Sequence, residues 1–594
     1  MAAVITAVVG HRGSGKSQFL QRARTAFEAS GQKATFVDVD QEMEQAAGRP
    51  IIEFFGELGE EEFRRLEREM AAAVFDRLHD DDRPAFVALG AGFDGSIPSD
   101  VAVLWIQRST DGDGRIFLDR PALDPGLGPL EEFQHRFGDR DDRYRDIATE
   151  TLLVAEGIDS VTEADRLILG LGESDIGGYL TILPGDIDGW DGFLAKRLTW
   201  GIDRFEIRDD LLSASVADRV ASIPAGKRLV SYRTSSNWLD GLATAGALVD
   251  WALELGKPPP GVGIVSRHHR VGRSVHDVAD ELIGAGPDAH LKLAIAVNDF
   301  TELWQGHQWR SADPDNRSFL PRSDDGRWSW YRQTQRGNMQ VNFLREGAGS
   351  AADQPTLSDW VSVPQRSTTF AAILGDPVAH SRTPTTQAPF FAQRGMGVVR
   401  IRMTAAECTA DNMEVLARLG MTHAAVTSPL KKTVYEMCGE VEEPAATLES
   451  VNTLVRKGDQ WVGTNTDIGG LRALVADVGK SSVVLWGGGG TRATVLYVLA
   501  EAVPYSARSG MPLSDGAGFG SAGPDIVVWA VGRNRQQACK WPPTGWRPHR
   551  VIDLNYGEDS PGLEYAHRLG AEYRSGLEMF RVQAELQQEF WNGR

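Results

Sequence analysis

Apolar and polar residues are distributed along this chain in short blocks that change character three times. Val4–Gly10 is an apolar run that ends in a glycine loop and is followed by an apolar-periodic segment, so it reads as strand, loop and helix. A second apolar run, Phe36–Asp40, ends in two carboxylates. From Tyr179 onward, short strand-like blocks (YLTILPG, RFEIRDD, RLVSYRT, LVDWALEL, GIVSRHH, LKLAIAV) alternate with helical stretches. That alternation predicts parallel β/α units, of which six or seven are countable; eight would close a barrel. After a polar segment, Glu346–Asp359, the pattern resumes with an apolar strand at Phe370–Leu374, further strand-to-turn junctions at Ala425–Lys432 and Trp461–Gly470, and a strand, glycine turn and helix in SVVLWGGGGTRATVLYVLA. The expected fold is α/β in three domains, residues 1–170, 171–365 and 366–594. They are a three-layer α/β/α P-loop unit, a (β/α)8 barrel and a two-lobed α/β unit whose second lobe is of Rossmann type.

The polar residues at these junctions suggest chemistry. In GHRGSGKS, Gly10, Gly13, Gly15, Lys16 and Ser17 make a loop whose amides can cradle phosphates; Lys16 neutralises their charge and the Ser17 hydroxyl can ligate Mg2+. Glu206, Arg208, Arg233 and His268 fall at strand ends, where a barrel keeps its active groups. Lys292, enclosed by Leu291, Leu293 and Ile295, is expected to be desolvated, with a lowered pKa and a nucleophilic amine able to form an imine. The turn after Phe370–Leu374 presents Ser381 and Thr383, which suits a polyol, while Lys431 and Asp467 open later turns and can form a proton-transfer pair. Gly487, Gly489 and Gly490 form the dinucleotide-type turn.

Composition narrows the field. A formal net charge of −20 with no Lys/Arg cluster argues against a nucleic-acid partner. Cys408, Cys438 and Cys539 lie far apart in no metal-ligand pattern, as expected of a reducing cytosol. The apolar start, Ala2–Val9, is too short to span a membrane and runs into the glycine loop, so the reading is a soluble, cytoplasmic protein with no membrane partner.

Several motifs resemble known families. HSRTP, VTSPLK, VNT and GTNTDIGG occur in the order found in shikimate dehydrogenase. That resemblance implies NADP(H), a catalytic pair of Lys431 and Asp467, and substrate contacts from Ser381, Thr383, Thr427, Asn452, Tyr556 and Gln583. Arg508 would hold the cofactor 2'-phosphate. Residues 1 to 155 resemble shikimate kinase. Here the resemblance implies MgATP on the Lys16 loop, Asp38 with Ser17 on the metal side, and Asp40, Arg64, Gly90, Gly92 and Arg140 around the substrate. Arg120 would be the lid arginine. The middle resembles type I 3-dehydroquinate dehydratase, implying an imine at Lys292, proton transfer by His268, and substrate contacts from Glu206, Arg208, Arg233, Ser350 and Gln354. Its late substrate-carboxylate arginine has two candidates, Arg327 and Arg332.

The order of the three resembles the last three domains of the fungal arom polypeptide. This implies a trifunctional enzyme acting on 3-dehydroquinate, 3-dehydroshikimate and shikimate, with room for a homodimer. Quinate repressors share the order, and a metabolite-sensing regulator is the alternative. Four departures from the family patterns, Ala91, Asn237, Gln387 and Ala425, bear on that choice. Asn237 stands where the dehydratases carry a glutamate, so His268 is expected to lose a supporting charge and stay neutral to lower pH.

Overall fold

The computed structural model describes residues 5–108, 129–154, 176–234, 236–270, 272–346, 349–365, 367–379, 381–513, 518–531, 539–555 and 560–593. Among these residues the strands make four sheets. The first is wholly parallel, in the order β2 (Thr35–Asp38), β3 (Ala85–Ala88), β1 (Ile5–Val9), β4 (Ala102–Arg108), β5 (Glu150–Val154). Buried side chains from both of its faces form two cores, one with Phe63 and Val74 of the helix Glu60–His79, the other with Phe19 and Phe27 of the helix Lys16–Ala29. A sheet covered on both faces explains why its strands read as unbroken apolar runs.

The second sheet has eight parallel strands, β6 (Tyr179–Thr181), β7 (Phe205–Arg208), β8 (Arg228–Tyr232), β9 (Leu248–Ala252), β10 (Ile264–Arg267), β11 (His290–Leu293), β12 (Arg317–Phe319) and β13 (Phe343–Leu344). Neighbours follow chain order from β6 to β12, and β13 returns to pair with β6. Across the seam between β12 and β13, the Val341 amide donates to Ser318 Oγ at 3.2 Å. One buried cluster joins Tyr179, Leu229, Ile264, Ala294, Leu320 and Phe343, side chains from strands all round this sheet. The sequence pattern missed β12 and β13 because runs of three and two residues are too short to show a period.

The last two sheets follow from Phe370. A six-stranded mixed sheet is ordered β15 (Gly397–Arg402), β14 (Phe370–Gly375), β16 (Met421–Val426), β18 (Thr453–Lys457), β19 (Gln460–Thr464), β17 (Glu440–Val441). A five-stranded parallel sheet is ordered β21 (Val503–Tyr505), β20 (Val483–Gly487), β22 (Ile526–Ala530), β23 (Arg550–Asp553), β24 (Glu572–Ser575). The C-terminal helix, Leu577–Trp591, leaves the second of these sheets and packs back on the first, where Trp591 Nε1 donates to Leu454 O at 2.9 Å. No helix among the described residues is long and apolar enough to cross a membrane.

A single apolar core runs from the eight-stranded unit into the six-stranded one: Val265, Leu293, Trp328 and Tyr331 belong to the same cluster as Phe370, Leu374 and Leu416. Trp330 and Phe370 meet at 5.9 Å between ring centroids, and Arg327 pairs with Glu407.

Candidate active sites

At the N-terminal sheet, β1 delivers the chain into the loop that Lys16 closes. Gly15 caps the following helix with φ 98°, a left-handed conformation that favours glycine. Lys16 Nζ donates to the carbonyls of Gly10 and His11 at 2.9 and 3.2 Å, which holds the ammonium over the loop. Ser17 Oγ donates to Asp38 Oδ2 at 2.7 Å, so the hydroxyl and the carboxylate at the end of β2 face each other. Asp40 follows, its carboxyl pushed up by burial and then by Asp38. Arg64 donates to the fully buried Glu67 at 2.6 Å. Space here is tight: a Cβ on Gly90 would lie 2.0 Å from Glu67 Oε1, and one on Gly92 2.0 Å from Arg64 Nη2. Between them, the Ala91 carbonyl accepts the Tyr144 hydroxyl, whose oxygen also lies 3.1 Å from Gly10 O. Arg140 is half-buried, and burial lowers its guanidinium from the usual range. Loop, Asp38, Asp40, Arg64, the glycines and Arg140 therefore converge. Arg120 lies outside the described residues.

Two oxygens as close as those of Ser17 and Asp38 suit a divalent cation that completes its shell with phosphates and water. Among the described residues no group of three or more His, Cys, Asp or Glu is placed to hold a metal alone.

The eight-stranded sheet surrounds a cavity of about 310 Å3. Lys292, 1 % exposed on β11, sits in its floor with Nζ 5.1 Å from the centroid of Phe343. Burial lowers the lysine's pKa against the opposing pull of Asp250, with which it is ion-paired. Asp250, itself fully buried, also takes Arg233 Nη2 at 2.6 Å; Arg233 and Lys292 hold its carboxyl well below the usual range despite burial. Glu206 is fixed by Thr181 and Ser231 hydroxyls at 2.6 and 2.8 Å. Gln354 locks the Ser350 loop by accepting its amide at 2.9 Å and donating to its hydroxyl at 3.0 Å. His268 also lines the cavity; burial, and then the charge of Arg233, push it down to about 3, so its imidazole is neutral at ordinary pH. The positive wall consists of Arg208, Arg233, Arg322 and Arg332.

Three of these residues were not singled out from sequence. Asp250 lies inside the block LVDWALEL, where an acid among the apolar residues of a strand is the available signal. Arg322 follows β12, too short to be read. Glu254 is the carboxylate beside His268: its Oε1 accepts the amides of His268 and His269 at 2.8 and 2.9 Å, and Oε2 is 3.8 Å from His268 Nδ1. Asn237 is exposed, ahead of the helix Asp240–Thr244, and does not line the cavity. The charge expected to be missing at 237 is thus present at 254. Of the two arginine candidates, Arg332 lines the cavity and Arg327 is turned away onto Glu407.

In the six-stranded sheet, the parallel register of Leu374 with Val426 sets the turn after β14 beside the turn after β16. The Asp376 amide donates to Ser428 O at 3.1 Å, and the Val426 amide to Asn452 O at 2.7 Å. These bonds gather the Ser381–Thr383 turn, Thr427, Lys431 and Asn452 into one neighbourhood. Lys431 opens the helix Lys431–Met437 and is ion-paired with Asp467, which opens the helix Asp467–Leu474. Asn452 Nδ2 donates to Asp467 Oδ1 at 2.7 Å, so the carboxylate is fixed on both oxygens. Ser381 Oγ accepts the Thr383 amide at 3.2 Å. Gln583 lies half-buried on the C-terminal helix, its Cβ close to Gly470. Gln387 is fully buried and bonded to Ala584 O and Gln587, so it is a packing residue of the same helix contact. In the last sheet, Gly487, Gly488 and Gly489 all have positive φ between β20 and the helix Arg492–Val498, and Arg508 is exposed just beyond β21. A tight turn in front of a helix, with a guanidinium beyond the neighbouring strand, fits a phosphorylated dinucleotide. Tyr556 lies outside the described residues.

Comparison with known proteins bears on two of the three regions. Residues 373–454 match the family profile described as the shikimate dehydrogenase substrate binding domain, and residues 12–94 match that of shikimate kinase. The NADP(+) shikimate dehydrogenase of Syntrophobacter fumaroxidans is 36 % identical over 138 residues, 23 % of this chain and 48 % of the relative. The chain spans about half the length of this and similar curated relatives. That of Xanthomonas campestris pv. campestris is 31 % identical over 255 residues, 37 % of this chain and 90 % of the relative. Among solved structures, the shikimate dehydrogenase of Aquifex aeolicus is similar with 21 % identity and a TM-score of 0.32, covering 38 % of this chain and 93 % of that one.

Proposed function

Because this chain belongs to the shikimate dehydrogenase family, we propose that its last third interconverts 3-dehydroshikimate and shikimate with NADP(H), within a chain that also dehydrates 3-dehydroquinate and phosphorylates shikimate. The observation that carries the first activity is the Lys431–Asp467 pair held by Asn452 beside the hydroxyl-bearing turn. NADP(H) supplies or accepts the hydride. Lys431 gives the proton to the carbonyl oxygen as it becomes a hydroxyl, the fixed carboxylate of Asp467 orients the ammonium, and water returns a proton to the lysine amine. Ser381, Thr383 and Thr427 hold the acid.

For the N-terminal region, the likeness to shikimate kinase and the convergence of Lys16, Asp40, Arg64 and Arg140 support transfer of a phosphoryl group from ATP to a hydroxyl of the same acid. Ser17 and Asp38 would hold Mg2+, which neutralises phosphate charge. Arg64 and Arg140 supply bidentate donors for a carboxylate or phosphate, and the raised carboxyl of Asp40 is suited to accept the hydroxyl proton.

For the middle region, eight parallel strands in chain order, with one buried cluster drawing side chains from along the whole sheet, support a (β/α)8 barrel with a dehydratase site at its strand ends. Desolvated Lys292 forms an imine with the substrate ketone, and neutral His268 removes the adjacent proton and returns it to the leaving hydroxyl. Arg322 and Arg332 are the groups available for the substrate carboxylate. The four departures from family pattern do not remove any of these reacting groups, which favours an enzyme over the sensor reading.

The test is a coupled assay. With 3-dehydroquinate, NADPH and MgATP, the full chain is expected to form 3-dehydroshikimate, shikimate and phosphorylated shikimate in turn. A folded chain that binds 3-dehydroquinate and forms none of them would establish the sensor instead.

A further inference from the structure

A second cavity, of about 230 Å3, lies where the helix Phe300–Ser311 and the end of the helix Ser329–Thr334 meet the start of β14 and the end of the helix Ala410–Arg418. It shares no lining residue with the barrel cavity. Its lining includes two arginines, Arg310 and Arg418, and the polar residues Ser311, Thr334, Gln335 and Asn338, and none of its lining residues is an Asp or Glu.

Arg310 is the informative member. It is 7 % exposed and forms no ion pair with a carboxylate among the described residues. Of the five N–H donors of a guanidinium, two are used: one from Nη1 to Gln335 Oε1 at 3.2 Å and one from Nη2 to the Asn338 carbonyl, while Nε has no acceptor. A buried charge left without an opposite charge is strongly disfavoured. The field is felt next door: burial and then Arg310 push His307 down to about 4, so the imidazole beside it is neutral and offers no further cation at ordinary pH. Arg418 stands at the rim, its side chain 57 % exposed, with Nε on Glu414.

We propose that this cavity binds a small oxyanion, the carboxylate or phosphate group of a metabolite, whose charge completes Arg310 and bridges the eight-stranded unit to the six-stranded one. Such a ligand would touch both sides of the junction and would therefore stabilise the pair against unfolding in proportion to its occupancy.

The experiment uses the full chain carrying Lys16→Ala, which weakens phosphate binding at the N-terminal loop. Its thermal midpoint is followed with inorganic phosphate in one arm and succinate in the other, at ionic strength held constant with chloride. A saturable rise that Arg418→Gln weakens identifies this site: a phosphate site where phosphate alone gives it, a carboxylate site where succinate alone gives it, and a general oxyanion site where both do. In either arm the apparent affinity should fall about tenfold or more on adding Arg310→Lys or Arg418→Gln, since each removes donors a fork-shaped guanidinium offers an oxyanion. Should Arg310→Lys fail to fold, Arg418→Gln, at an exposed rim position, still decides. No saturable rise with either anion, or a rise of unchanged affinity in Arg418→Gln, overturns the proposal.

Discussion

His268 illustrates how a residue's chemistry depends on neighbours that are distant in sequence. The expectation that it lacks a carboxylate came from Asn237, yet Glu254 stands beside it and grips the backbone of residues 268 and 269. Burial and Arg233, not the want of a carboxylate, set its low pKa, and the Glu254 interaction opposes them. Glu254→Gln keeps an oxygen for the two amides but removes the charge. The His268 pKa should then fall further, so the acid limb of the dehydration profile moves to lower pH; with the imidazolium less supported once it has taken the proton, the rate near pH 7 should drop about tenfold. Asn237→Glu should leave both unchanged, and a shift in the acid limb on that substitution would place residue 237 at the site after all. Paired pH–rate profiles of the two variants check this.

Elements set the precision of the sites. Lys16, Asp38, Lys431 and Asp467 were legible because each follows a strand or opens a helix, and a strand-to-turn junction is a local signal. Asp250, Glu254 and Arg322 were not, because what matters about them is their alignment across β9 to β12, which no local pattern encodes: Ser266 is paired with both Ala252 and Lys292. The same limit applies to the segment Gly90–Gly92, read as two glycines flanking an alanine. In the structure the reason for glycine is Arg64 and Glu67 on the helix opposite. Gly92→Ala should push the Arg64 guanidinium off its position. The apparent KM for shikimate in the phosphoryl-transfer assay should rise about tenfold or more, the loss of one charge-assisted contact, with the thermal midpoint little changed. An unchanged KM would show that Arg64 does not hold the acid.

On the scale of the whole molecule, the parts expected from sequence as separate domains, residues 171–365 and 366–594, are joined by contacts that no sequence pattern announces. The eight-stranded unit and the six-stranded one after it share one apolar core, crossed by Trp330 and Phe370. Trp330, 1 % exposed, should cost about 3–5 kcal/mol when truncated to alanine. Unfolding followed by the loss of dehydratase and dehydrogenase activity should shift together in that variant; a shift in only one would show that the two parts unfold independently. Reduction of 3-dehydroshikimate through Lys431 and Asp467 is read out by steady-state shikimate-dependent NADP reduction in wild-type and Lys431→Ala chains. The predicted result is turnover in the wild type and a kcat lower by about 10²-fold or more in Lys431→Ala, with phosphoryl transfer from ATP to shikimate intact. A Lys431→Ala chain that oxidises shikimate as fast as wild type would rule out Lys431 as the proton donor, and a folded wild-type chain that does not oxidise it at all would rule out the dehydrogenase.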